Sequence, residues 1–167
     1  MVGGEGARPD ADRDRAWRIA AAVPDPELPV LTIADLGVLR DVTVDADGRV
    51  EVTVTPTYSG CPAMDAIRSD VVAALAEHGR TDVTVRTVLS PPWTTDWISQ
   101  AGRRALLEHG IAPPGRRDGP VPIGLTVRCP RCGSPDTRQI SRFGSTACKA
   151  LHACNACLEP FDHVKAI

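Results

Sequence analysis

Apolar residues recur every three or four positions from Arg13 to Val23 (Ala16, Ile19, Ala20, Val23), the spacing of one helix face. An acidic start at Asp10 or Asp12 and a stop at Pro24 bound that helix. Pro24, Pro26 and Pro29 forbid helix over the next stretch, since each removes an N–H donor and biases its predecessor to extended geometry. A short apolar run, Val30 to Ile33, leads to the turn Asp35-Leu36-Gly37. The period then drops to two, from Val38 to Val44 and from Arg49 to Thr55. Asp45-Ala46-Asp47-Gly48 between them supplies turn chemistry and predicts a β-hairpin. Helical spacing returns from Pro62 (Met64, Ile67, Val71, Ala74, Leu75) and ends at His78-Gly79, with Gly as the left-handed cap. Asp82 to Val88 alternates again. After a helix of about four turns it can return parallel to the strand before it. A last helix, capped by Thr95 or Asp96, runs to Glu108 and stops at Gly110.

The elements read α-β-β-α-β-α, which predicts an α+β domain: a small mixed sheet of three to four strands covered by helices. The expected organisation is a disordered tail over 1–9, the α/β domain over 10–111, a linker over 112–124 and a small module over 125–167. The linker is marked by Pro113-Pro114-Gly115 and Gly119-Pro120-Val121-Pro122. A length of 167 residues suits a domain of that size plus a module. With 43% apolar residues but only three Trp, two Phe and one Tyr, the core rests on Val, Leu, Ile and Ala. A net charge of −2 with mixed signs argues against a dedicated phosphate-backbone binder, so no nucleic-acid partner is expected. No apolar run reaches the roughly 20 residues of a membrane span, and no h-region of a signal peptide precedes the first helix. The expected compartment is therefore the reducing cytoplasm, where paired cysteines read first as metal ligands or redox groups.

Cysteine spacing is the most specific signal in the chain. Cys129-Pro130-Arg131-Cys132 and Cys154-Asn155-Ala156-Cys157 are two CxxC pairs with 21 residues between them. Each closes a knuckle aiming two sulfurs at one ion, and two knuckles give the tetrahedral Cys₄ shell that Zn²⁺ prefers. A module of this size has too little core to fold alone, and metal ligation supplies the missing stability. A Cys₄ zinc ribbon follows, with two local disulfides or an iron–sulfur cluster as alternatives. With four sulfurs completing the shell, His152 and His163 are expected at the surface.

Two cysteines remain. Cys61 lies between a polar turn and Pro62, which favours the first position of a helix. Cys61 then falls at or near the N-cap, where unpaired amides and the macrodipole push a sulfur toward thiolate. The alternative is a small buried hydrophobe. Asp65 in the first turn suits the helix dipole and could also take a proton near Cys61. Asp25 and Glu27, on chemistry alone, read as a solvated turn. Cys148 reads as a packed side chain of the ribbon; exposed, its neighbour Lys149 would favour thiolate. The tryptophans of Ser90-Pro91-Pro92-Trp93-Thr94-Thr95-Asp96-Trp97-Ile98 either close one end of the core or form a docking wall.

These motifs carry a resemblance. Asp25-Pro26-Glu27, Asp35-Leu36-Gly37 and Thr55-Pro56-Thr57 leading to Gly60-Cys61-Pro62 resemble the SufT/MIP-type iron–sulfur assembly domain. The segment 90–98, then Phe143-Gly144-Ser145-Thr146-Ala147-Cys148-Lys149 and Glu159-Pro160-Phe161-Asp162, are similar to the PaaD (PaaJ) subunit family of phenylacetyl-CoA 1,2-epoxidase. The resemblance spans about residues 13–165. It implies a non-catalytic accessory subunit of a multisubunit oxygenase in aerobic phenylacetate degradation, which carries an iron–sulfur cluster or assists maturation of a metal centre. It implies Cys61 as the functional thiol, with Asp25, Glu27, Asp35, Thr55 and Thr57 around it, and the other epoxidase subunits as partners. In that family a further Cys is expected after Phe-Lys near the C-terminus, where this chain has Val164-Lys165-Ala166. The two CxxC pairs must therefore suffice for the metal.

A cluster takes about four ligands, so one Cys61 per chain implies a bridging homodimer, an external thiol such as glutathione, or help from Cys148. Two rival readings stay open. One is a zinc-ribbon docking module in which Cys61 is structural; the other is a thiol redox protein using Cys61 and Cys148, although no CxxC lies outside the ribbon.

Overall fold

The computed structural model describes residues 9–58, 60–115 and 127–166. Contacts divide the chain into two compact units, with the division after Trp93.

The first unit holds α1 (Pro9–Ala21), β1 (Leu39–Val44), β2 (Val50–Val54), α2 (Ala63–Glu77) and β3 (Val83–Thr87). The sheet order is β1-β2-β3, antiparallel across the hairpin and parallel from β2 to β3. The expected mixed sheet and βαβ return are both present. On β2, Val50, Val52 and Val54 are all buried, while Glu51 is exposed and pairs with Arg86 at 3.4 Å. One face thus meets the helices and the other water. Helix α1 packs on β1 and α2, and α2 on β3. Ala16 and Ala20 from α1, and Ile67, Val71 and Leu75 from α2, are buried in that layer. Each such Val, Leu or Ile contributes about 1.5–3 kcal/mol on leaving water. Trp93 closes this core, its Nε1 donating to the Leu36 carbonyl at 2.9 Å.

The strict alternation expected over 38–44 does not hold. The β1–β2 register shifts between Leu39 and Asp41, so Val38, Leu39 and Val42 are buried while Arg40 and Asp41 are exposed. A bulge places two residues of one strand opposite one of its partner and reverses the in–out phase.

In the second unit, Thr95–Trp97 is a single 3₁₀ turn and α3 spans Gln100–Glu108. The cap differs from expectation. Ser99, not Thr95 or Asp96, starts α3, its Oγ accepting from the Gly102 N–H at 2.8 Å. Thr95 is instead buried, and Ile98 is extended and buried. The ribbon sheet has order β4 (Thr137–Ser141), β5 (Lys149–Cys154), β6 (Pro160–Val164), all antiparallel. Ala112 bridges β6: its N–H donates to the Asp162 carbonyl at 2.8 Å, and its carbonyl accepts from Val164 at 3.0 Å. It joins Cys129, Cys154 and Phe161 in the ribbon's small apolar cluster. Contacts therefore group α3 and Ala112 with the ribbon, whereas the sequence placed the boundary at 111/112. Positions 1–8 of the expected tail and 116–124 of the expected linker lie outside the described residues. Among the described residues no helix is long and apolar enough to cross a membrane.

Candidate metal centre and functional thiol

The four paired cysteines converge. The sulfurs of Cys129, Cys132, Cys154 and Cys157 all lie within 4.8 Å of one another, with Cys129–Cys157 at 3.7 Å and Cys132–Cys154 at 3.6 Å. The first knuckle turns through Gly133 at φ 74°, closed by the Gly133 N–H on the Cys129 carbonyl at 2.9 Å. The second turns through Leu158 at φ 65°, closed by the Leu158 N–H on the Cys154 carbonyl at 3.1 Å. Leucine is strained in that left-handed conformation. Backbone amides of Cys157 and Ala156 aim at the Cys154 sulfur and lower its pKa to about 7. The Glu159 N–H pulls Cys157 the same way, but burial and the neighbouring thiols push it up to about 12. Four sulfurs this close cannot all ionise without a cation between them, and a divalent soft-binding ion answers that need. The donor set fits structural Zn²⁺.

His152 and His163 are not surface residues. His152 is 7% exposed and stacks on Phe161 at 5.7 Å, with His163 edge-on at 5.2 Å. The strand period explains it: His152 pairs with Phe161 in register, so both project to the face of β5 and β6 that packs inward. Burial lowers the pKa of both rings, His163 to about 4. Lys149 and Asp162 occupy the opposite face, Nζ to Oδ2 3.1 Å, with only 9% of the lysine side chain exposed. Lys149 is therefore committed to Asp162. Cys148 is half-buried and meets the Thr146 hydroxyl at 3.1 Å. The Cys148 carbonyl accepts from the Lys165 N–H at 2.9 Å, which sets Ala166 beside this end of β5.

Cys61 sits in the first unit, half-buried, one residue before the N-cap of α2. Pro62 is that cap, at φ −67° and ψ −20°, and Ala63 is the first helical residue. The Cys61 carbonyl accepts from Met64 at 3.3 Å, which starts the first turn. Gly60 reaches the site at φ 82°, a conformation glycine adopts without strain. The sulfur has the Ala63 N–H and the hydroxyls of Thr57 and Tyr58 within hydrogen-bonding reach, and the charge of Glu27 acts on it through space. The expected push toward thiolate is reversed. Burial raises the thiol pKa and Glu27 adds to the rise, and together they outweigh the helix-start amide and the two hydroxyls.

The turn carrying Glu27 is built on Asp25. Its Oδ1 accepts from the Glu27 N–H at 2.9 Å and the Leu28 N–H at 2.7 Å, and the residue is 4% exposed. The solvated-turn reading fails for Asp25 because a three-proline segment leaves its amides to be satisfied from a side chain. Burial raises the Asp25 pKa against those two bonds. Asp35 and Thr32 cap each other, hydroxyl to Oδ2 at 3.0 Å and Asp35 N–H to hydroxyl at 3.0 Å. Thr55 is 1% exposed and its hydroxyl oxygen meets no partner among the described residues. Asp65 is 92% exposed at the side chain and pairs with Arg68 at 3.1 Å. Thr57 is thus brought to the sulfur and Glu27 acts on it by charge alone, while Asp25, Asp35 and Asp65 make their bonds elsewhere in the unit. Sequence reasoning overlooked Tyr58, whose signal was its place three residues before the cysteine.

Comparison with known proteins finds one family in each half of the chain. Residues 17–87 match the family described as iron–sulfur cluster assembly protein, and residues 123–165 match the PaaD zinc beta ribbon domain. The D subunit of the "Putative 1,2-phenylacetyl-CoA epoxidase" of Escherichia coli (strain K12) is 48% identical over 151 residues, 90% of this chain and 91% of that protein. The Fe-S protein maturation auxiliary factor YitW of Bacillus subtilis (strain 168) is 42% identical over 85 residues, 50% of this chain and 82% of its own. A solved domain of unknown function, DUF59, from Bacillus anthracis superposes with a TM-score of 0.55 at 33% identity, covering 59% of this chain and 93% of that one.

Proposed function

This chain belongs to the PaaD family of phenylacetyl-CoA epoxidase subunits, and from that membership we propose that it is an accessory maturation factor of such an epoxidase and catalyses no step of the oxygenation itself. It works in the cytoplasm, beside the other epoxidase subunits, and its cargo is an iron–sulfur cluster or the iron of one. Cys61 is the residue that holds the cargo. The observation that supports this most is the sulfur's setting: half-buried before a helix start, with an amide and two hydroxyls turned toward it and the charge of Glu27 acting on it.

That setting suits a transient hold. With its pKa raised, the thiol keeps its proton until a metal displaces it, so binding releases one proton per Cys61 and strengthens as pH rises. Ala63 N–H and the hydroxyls of Thr57 and Tyr58 donate to the sulfur once it is charged. Glu27 opposes that charge, which weakens the hold and favours transfer onward. Asp25 positions Glu27 through the two amide bonds of its turn. One sulfur cannot complete a shell of about four ligands. The others come from a second copy of the chain or an external small thiol. Zn²⁺ in the ribbon is structural.

The test is Cys61→Ala in an anaerobic reconstitution with the epoxidase subunits. The variant is expected to melt as wild type does while the oxygenase subunit emerges short of iron and inactive. Full iron and full activity would refute the proposal. A lower melting temperature with activity per folded molecule intact would make Cys61 a packing residue instead.

A further inference from the structure

The ribbon has two edges: Ala112 bridges β6, whereas among the described residues β4 pairs with β5 alone. Along that open edge Arg138, Gln139 and Ile140 are exposed, and Arg142 and Phe143 beyond it are exposed as well. Ile140 is 49% and Phe143 72% exposed, in a protein with two phenylalanines. The β4–β5 register shifts between Gln139 and Ser141. Such a bulge re-aims a side chain and interrupts the ladder, so this edge is suited to reading by side chains rather than by added strand pairing.

The acidic groups of the ribbon's ion pairs are already engaged. Ribbon ion pairs join Arg131 to Glu159 and Lys149 to Asp162, which leaves Arg138 and Arg142 without an acidic partner among the described residues. Lys165 places its Nζ 5.3 Å from the centroid of the Phe143 ring and 3.4 Å from the Arg142 carbonyl. The ring thus carries a cation over one face and stays largely exposed. Gly144 behind it has no room for a side chain: a Cβ would meet Lys149 Cβ at 3.0 Å and Asp162 Oδ1 at 3.2 Å. The Gly144 N–H is tied to the Lys149 carbonyl at 2.8 Å. The turn therefore presents an exposed aromatic ring with the Lys165 ammonium over it, and exposed Arg142 and Arg138 precede it in the chain. Aromatic and arginine side chains are what interface centres concentrate, and an anchor fixed before binding costs little entropy on docking.

We propose that this lip, Arg138 to Phe143 with Lys165, is a docking surface for an acidic face of an epoxidase subunit that offers an apolar pocket to Phe143. The inference rests on the accessory-factor reading above and adds to it the surface by which the cargo carrier finds its client. A protein is favoured as the occupant because the chain belongs to a family of subunits of an epoxidase, and an acidic face complements Arg138, Arg142 and Lys165.

The experiment measures binding of the zinc-loaded full chain to each purified epoxidase subunit of the same organism, at low and high salt. Wild type is compared with Phe143→Ala, the double variant Arg138→Glu/Arg142→Glu, Leu158→Ala as a second exposed apolar position on the ribbon, and Cys61→Ala. One subunit is expected to bind. Phe143→Ala and the charge reversal should each weaken it about tenfold or more, and the reversal should also remove most of the salt dependence. Leu158→Ala and Cys61→Ala should bind as wild type. Zinc content, unchanged in every variant, shows that the ribbon is folded. The proposal falls if no subunit binds wild type, or if both lip variants bind within about twofold of it. It falls equally if the lip binds a single-stranded oligonucleotide or a second copy of the chain in the subunit's place. Failure of the Cys61 reading would look different: docking intact, but iron delivered by Cys61→Ala.

Discussion

Replacing Asp162 by Asn should cost the ribbon more than replacing its partner Lys149 by Met, and the order is set by burial. The two charges are 3.1 Å apart, with 9% of the lysine side chain and 26% of the aspartate side chain exposed. Their attraction at an effective dielectric of about 20 is roughly 5 kcal/mol, most of which offsets desolvation. With Asn at 162 the ammonium stays in a nearly closed site facing a neutral amide, and part of its desolvation goes uncompensated. A fully buried pair loses about 3–5 kcal/mol when one partner is removed. The partly exposed carboxylate brings this to about 2–3 kcal/mol. With Met at 149 the remaining aspartate can draw water through its exposed quarter, and the expected loss is about 1 kcal/mol. The double variant should cost less than the sum of the two, with a coupling of about 1 kcal/mol or more. Ribbon stability can be followed as zinc release to a chromogenic chelator against urea, using the full-length zinc-loaded chain. Equal losses, a larger loss for Lys149→Met, or strict additivity would show that the pair is not the buried unit described here.

Other consequences can be checked with the same material. Removing zinc with a strong chelator should abolish amide protection over β4, β5 and β6 while β1 to β3 and α2 keep theirs, because so small a ribbon has too little core to stay folded without its metal; protection of the ribbon after metal loss would refute this. Cys61 should react slowly with iodoacetamide at pH 7 and faster with each step up in pH, without a plateau below the ordinary thiol range, since its pKa is raised by burial and by Glu27. Glu27→Gln lowers that pKa by removing the repelling charge, so its reaction at pH 8 should exceed wild type; a slower rate would place Glu27 elsewhere. Leu158→Gly relieves a left-handed φ of 65° at a side chain 81% exposed. It should stabilise the zinc-loaded ribbon by about 0.5–1 kcal/mol, strain relief less the added chain entropy, and a loss of stability would be the contrary result.

Local chemistry determined much of this protein by itself. Three valines at period two fix one buried face of β2, glycine ends α2 in the left-handed region, and two CxxC knuckles leave four sulfurs little choice but one centre. Each is a signal carried by a few neighbouring residues, whose physics does not depend on what packs above them. Tertiary structure decided the rest. Whether Cys61 is thiolate or thiol turned on the burial it acquires and on Glu27, which approaches from a turn more than thirty positions earlier in the chain. The helix-start rule spoke only to the local amides and gave the wrong sign. His152 and His163 were expected outside because a filled zinc shell has no use for them, yet strand register sent both to the face that packs inward. The bulge between Leu39 and Asp41 left no mark on an alternating stretch, because register belongs to the pair of strands and not to either one. Asp25 looked solvated for the same reason. Its two amide partners are adjacent in sequence, but the burial that makes those bonds count comes from elements folded over it.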